Sequence, residues 1–145
     1  MNKFDIIDVL LVEDNQNDAE LTIRALQKNN IIKNIYVLED GAEALDFFFC
    51  KGKFEERNIK NSPKVVLLDL KLPKVSGLEV LKIIKSNKNT SSIPIVMLTS
   101  SREEPDIKEA YFHGVNSYVV KPVDFDQFVA SMNALGVYWL SINQF

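Results

Sequence analysis

The chain has 145 residues, 46% of them hydrophobic and 26% charged, with a formal net charge of −3. That is one domain's worth of chain with an ordinary globular composition, long enough to bury a core. The charge balance points to neither nucleic acid nor a membrane surface, and no apolar run approaches the ~20 residues of a membrane span.

The N-terminal MNKFDIIDVL has acids inside its apolar stretch and no small-residue cleavage site, so it does not read as a signal peptide. From Asp8 onward two patterns alternate. DVLLVED (8–14) is a short, nearly continuous apolar run, followed by a helical stripe over Asp18–Lys28 with Ala19, Ile23 and Leu26 on one face. NIYVLED (34–40) precedes a second stripe, Gly41–Cys50. Cys50 is the only cysteine, so no internal disulfide can form, and a reducing, cytoplasmic setting is expected. Lys51–Ser62, KGKFEERNIKNS, reads as a polar connection longer than the usual ~4–6 residues.

KVVLLDL (64–70) is followed by the stripe GLEVLKIIKS (77–86), and IPIVMLT (93–99) by one over Asp106–Phe112. His113, the only histidine, sits beside Gly114 at an expected helix end, which leaves little to build a zinc site or a Ser-His-Asp triad. NSYVVKP (116–122) is the fifth apolar run. After it Phe125, Phe128, Val129, Met132, Leu135, Trp139 and Leu140 share one helical face, with Tyr138 opposite and Val137 beside that stripe. Near-continuous apolar runs, rather than alternating ones, are how strands buried on both faces of a parallel sheet read. Five strand–helix units in succession predict a doubly wound α/β domain with right-handed crossovers.

In an open parallel sheet, ligands sit outside the carboxyl ends of the strands. The first run ends in Glu13-Asp14, the third in Asp69, the fourth in Thr99, and the fifth runs into Lys121-Pro122. Each has a plain reading alone, as a helix cap or a solvated charge, but together they place three acids, a hydroxyl and an ammonium on one edge. Clustered carboxylates repel, so one must neutralise or a cation must enter. Oxygen ligands without His or Cys select a hard ion such as Mg²⁺. Such an ion with a lysine suits phosphoryl transfer, and a central aspartate can accept the group as an acyl phosphate. Asp69 is the expected nucleophile.

LLVEDNQNDAEL, VVLLDLKLPKVSGLEVL, PIVMLTSS and GVNSYVVKPVD, in this order, resemble the four signature segments of the receiver domain of two-component response regulators. The resemblance runs from about Asp8 to Leu135 and implies a flavodoxin-like (βα)₅ fold with a five-stranded parallel sheet. It implies that Asp69 takes a phosphoryl group from a histidine kinase. Glu13 and Asp14 would hold Mg²⁺ with Asp69 and the main-chain carbonyl of Lys71, Thr99 would bond the phosphoryl group, and Lys121 would pair with one of its oxygens. Lys121-Pro122 would be a cis bond, and Tyr118 the aromatic switch that follows Thr99.

The chain ends at Phe145, just after the expected last helix, so a single domain over 1–145 is expected, with output through protein contact. The long loop and the C-terminal VYWLSINQF resemble the small response regulators that partner phytochromes. Tyr138 and Val137 suggest a homodimer or kinase docking through the last two helices. Two other readings are weaker. A receiver that no longer takes phosphate would not need the intact set Glu13, Asp14, Asp69, Thr99 and Lys121. A haloacid-dehalogenase-type phosphatase would need a second aspartate where Lys71 stands.

Overall fold

The computed structural model describes residues 3–28, 32, 34–122 and 124–134. Five parallel strands form one sheet: β1 (Val9–Val12), β2 (Ile35–Leu38), β3 (Val65–Leu68), β4 (Ile95–Thr99) and β5 (Ser117–Val120), in the order β2-β1-β3-β4-β5. The helices between and after them are α1 (Gln16–Leu26), α2 (Gly41–Phe48), α3 (Gly77–Ser86), α4 (Glu104–Phe112) and α5 (Phe125–Ala134). Leu135, Val137, Tyr138, Trp139 and Leu140 of the expected last helix, and the Met132 side chain, lie outside the described residues.

Side-chain alternation along each strand divides the core in two. Leu10, Val12, Val66, Leu68, Ile95 and Met97 face α2, α3 and α4, where they meet Ala44, Phe47, Val80, Leu81, Ile84 and Ala110. Val9, Leu11, Val65, Leu67, Val96 and Leu98 face the other way, onto Ala19 and Leu26 of α1 and Phe125 and Phe128 of α5. Fully burying one such side chain contributes about 1.5–3 kcal/mol. The expectation of strands buried on both faces holds for β1, β3 and β4. It fails at the rims, where β2 and β5 are only half-buried at three of their four positions, because an edge strand has one neighbour instead of two.

Helix starts differ from the apolar stripes because the first turns are polar. The Asn15 side chain caps α1 by accepting from the Asp18 N–H at 2.9 Å, so the helix begins at Gln16, two residues before its stripe. Glu104 and Pro105 likewise open α4 ahead of Asp106. His113 caps the end of α4 with its backbone, as its place beside Gly114 suggested.

The 51–62 connection is not merely polar. A short 3₁₀ turn, Gly52–Phe54, buries Phe54, and Arg57 is buried with its guanidinium 4.1 Å from the centre of the Phe47 ring. Arg57 donates to the main-chain carbonyls of Phe47 (2.5 Å) and Asn61 (3.0 Å). The Phe47 ring in turn belongs to a cluster with Phe4, Tyr36 and Phe54 whose rings meet edge to face. This cluster covers the β2 side of the sheet.

Register ends β1, β2 and β3 level and carries β4 and β5 two residues further. Val12 pairs with both Leu38 and Leu68, Leu68 with Met97, and Thr99 with Val120. The connection reverses direction between β1 and β3, and their carboxyl ends flank the crevice where ligands bind in such sheets. Gly77 fixes the wall of that crevice. A Cβ at this position would lie 1.8 Å from the Asp69 carbonyl oxygen, so only glycine lets α3 start against the end of β3. The Gly77 N–H bonds the Leu70 carbonyl at 2.8 Å.

Candidate functional site

Glu13, Asp69 and Lys121 are each the first residue beyond their strand, β1, β3 and β5. By alternation they continue the row of Leu11, Leu67 and Val119, on the α1/α5 side of the sheet. The Lys121 ammonium donates to Glu13, to Asp69 Oδ2 at 3.2 Å and to Asp18 Oδ2 at 3.1 Å. Three carboxylates thus take its three protons. Lys121-Pro122 is cis, as the motif implied. Asp14 is exposed at the mouth, and carboxylate oxygens of Glu13, Asp14 and Asp69 lie within 4.8 Å of one another.

The electrostatics follow from burial. Glu13 is 2% exposed, and removal from water, with the Asp69 charge nearby, pushes its carboxyl above the usual range despite bonds from Lys121 and the Asn15 N–H. Burial alone would lower the Lys121 ammonium. The Glu13 bond, the Asp69 charge and the Asp18 bond outweigh it and hold Lys121 firmly protonated. One half-buried cation therefore faces four acids, counting Asp14, and the site carries surplus negative charge. Three carboxylates converging without His or Cys fit a hard divalent cation.

The hydroxyls form a separate group. Thr99, 2% exposed at the end of β4, accepts the Ser101 N–H at 3.3 Å. The Tyr118 hydroxyl donates to the Ser101 carbonyl at 3.0 Å, and the Ser101 hydroxyl donates to Asp106 Oδ2 at 2.6 Å. Tyr118 is half-buried, and burial first, then the Asp106 and Asp69 charges, push its phenol above the usual tyrosine value. By alternation Thr99 and Tyr118 belong to the face packed on α2, α3 and α4, so they approach the acids from the opposite side of the sheet.

Every residue expected at the site stands at this edge, but in two clusters. Glu13, Asp14, Asp69 and Lys121 come together, while Thr99 and Tyr118 meet at Ser101. Lys71 contributes an amide that donates to Asp69 Oδ1 at a long 3.4 Å. A cleft of about 520 Å³ adjoins this edge, lined by Asp14, Leu70, Lys71, Leu72, Pro73, Ser76, Leu78 and Asp106. Sequence reasoning missed Asp18. Starting the helix at Asp18 hid it as a first-turn residue; reading Asn15 as the cap would have turned it towards the end of β5.

Residues 9–133 match the response regulator receiver domain family. The chain is 40% identical over 136 residues to the probable methanogenesis regulatory protein FilR2 of Methanothrix harundinacea, covering 94% of this chain and 85% of that one. It is 36% identical over 134 residues to response regulator Rcp1 of Synechocystis, covering 91% and 88%. The Mn²⁺-bound structure of Rcp1 matches with a TM-score of 0.75 over 92% of this chain and 94% of that one. The bacteriophytochrome response regulator AtBRR is 50% identical, with a TM-score of 0.80 over 90% of this chain and 93% of that one.

Proposed function

As the chain belongs to the response regulator receiver domain family, we propose that Asp69 is the residue on which it takes a phosphoryl group from a histidine kinase. Receiver domains of this family act in two-component signalling, with phosphohistidine as donor and an aspartate as acceptor. The observation that carries the assignment to Asp69 is its environment: a carboxylate on a side chain 11% exposed at the β1/β3 crevice, 3.2 Å from the Lys121 ammonium.

An Asp69 carboxylate oxygen attacks phosphorus, the P–N bond to the donor breaks with its electron pair going to nitrogen, and the donor, protonated on its other ring nitrogen, leaves as neutral imidazole. Transfer of this kind needs positioning and charge stabilisation more than covalent help. Gly77 packing fixes the Asp69 backbone, the Lys71 N–H restrains one oxygen, and Lys121 compensates charge on the transferred group. Thr99, at the end of β4, would bond a phosphoryl oxygen. Water later attacks phosphorus, and the P–O bond to Asp69 breaks to release phosphate. The protein thus assists its own phosphorylation and dephosphorylation without turning over a separate substrate.

Glu13, Asp14 and Asp69, with the Lys71 carbonyl, would hold Mg²⁺, which supplies charge neutralisation when bound. The fit rests on the converging oxygens and on the burial that raises Glu13, and the Mn²⁺-bound Rcp1 supports a divalent ion. The likeness to the bacteriophytochrome response regulator AtBRR supports a phytochrome-type kinase as partner; output through protein contact in the cytoplasm is part of the same proposal. Among the described residues no helix is long and apolar enough to cross a membrane. A homodimer through the last two helices is a separate proposal, and a concentration-independent monomer in sedimentation, with and without a phosphoryl mimic, contradicts it.

The test is incubation with Mg²⁺ and phosphoramidate followed by intact mass. One added phosphoryl group is expected, absent without Mg²⁺ and absent in Asp69→Asn. No adduct on the folded protein, beside a control receiver that reacts, overturns the assignment.

A further inference from the structure

Lys121 is held by three carboxylates that are not equivalent. Glu13 and Asp69 belong to the trio whose oxygens converge within 4.8 Å; Asp18 does not. Glu13 and Asp69 side chains are 2% and 11% exposed, whereas that of Asp18 is 42% exposed, on the first turn of α1 at the rim. Its position is fixed by the Asn15 cap on its own N–H, and a helix N-terminus favours a carboxylate there. A cation among Glu13, Asp14 and Asp69 must contend with the ammonium for oxygens of Glu13 and Asp69. It does not contend for Asp18.

We infer that Asp18 is a positioning residue: it retains the Lys121 ammonium beside Asp69 while a divalent cation takes over Glu13 and Asp69. The inference rests on the reading of Asp69 as phosphoryl acceptor. Without Asp18 the ammonium has only the contested oxygens. It then holds them against the incoming cation, which weakens cation binding, and lets go once the cation is bound, which leaves the transferred group without its lysine and slows phosphoryl uptake.

The test compares Asp18→Asn, Asp18→Glu and Glu20→Gln, each alone and with Lys121→Met. Glu20 lies on the same helix, exposed and paired with Arg24, so its change removes one charge without touching Lys121. Two quantities are read: the rate of phosphoramidate uptake at saturating Mg²⁺, and Mg²⁺ affinity by calorimetry. Asp18→Asn is expected to slow uptake roughly tenfold, the scale of one charge-assisted hydrogen bond, and to bind Mg²⁺ more weakly than Glu20→Gln. Asp18→Glu restores most of both, and neither quantity changes further when Asp18→Asn is added to Lys121→Met. Values for Asp18→Asn equal to those for Glu20→Gln overturn the inference, as do losses of equal size in the Lys121→Met background. A wild type that takes phosphate while the Asp18 variants behave like it sinks this inference alone. A wild type that takes none sinks the Asp69 assignment, and this with it.

Discussion

The two sides of the Asp69 edge are built on different physics. On the α1/α5 side, Glu13, Asp18, Asp69 and Lys121 form a charge cluster in which one ammonium is shared among more acids than it can neutralise. On the α2–α4 side, Thr99, Ser101 and Tyr118 are joined by hydrogen bonds of neutral groups, with Asp106 as the one acid. The first group responds to charge, so a cation or a phosphoryl group must rearrange it. The second responds to position: moving Thr99 towards a new acceptor disturbs Ser101, and Ser101 carries the Tyr118 hydroxyl. A single sheet keeps them apart by side-chain alternation while setting both at the carboxyl ends of its strands.

Disturbing what both sides share has the largest expected effect. Gly77→Ala sets a methyl group 1.8 Å from the Asp69 carbonyl oxygen. Backbone must shift, costing on the order of 3 kcal/mol, measurable by denaturant unfolding; a loss under 1 kcal/mol would show that the β3–α3 junction is soft. Next comes the charged side alone. Lys121→Met should slow phosphoramidate uptake on the order of a hundredfold, the usual scale for losing one pre-placed charge at a transition state. An unchanged rate would mean the ammonium serves only the resting cluster.

The neutral side alone should matter less. Tyr118→Phe removes one half-buried hydrogen bond, so unfolding free energy should fall by about 1 kcal/mol while the uptake rate holds. A slower rate with unchanged stability would merge the two sides into one. The smallest effect is a titration. The Tyr118 phenol is raised above its ordinary value in the folded state, so its share of stability is full below the ordinary tyrosine value and is lost as pH rises through the raised one. The stability gap between wild type and Tyr118→Phe should therefore narrow at alkaline pH, and the spectral difference between them should show a late tyrosine step. A step at the ordinary value would place Tyr118 in water.

The fold and the charged residues at the strand ends were legible in the sequence for one reason. Apolar runs that end abruptly on Glu13, Asp69 and Lys121 mark both the strands and where they stop. The edge strands were misread because burial depends on neighbours, which a run such as IYVL does not name. Arg57 lay within a connection that reads as polar; its burial follows from Phe47, ten residues earlier, whose ring it covers and whose carbonyl it bonds in the fold. Asp18 was hidden by a helix boundary drawn at the apolar stripe instead of at its cap. The separation of Thr99 and Tyr118 from the acids followed from strand parity, and counting residues from the core outward would have shown it.

The most direct measurement is the location of the phosphoryl group. Protein treated with phosphoramidate and Mg²⁺ would be reduced with borohydride, which converts an aspartyl phosphate to homoserine, and then digested and mapped by tandem mass spectrometry. Homoserine at position 69 alone is the expected result. Homoserine at 14 or 18, or a stable phosphoryl mass with no homoserine, would contradict Asp69 as the acceptor.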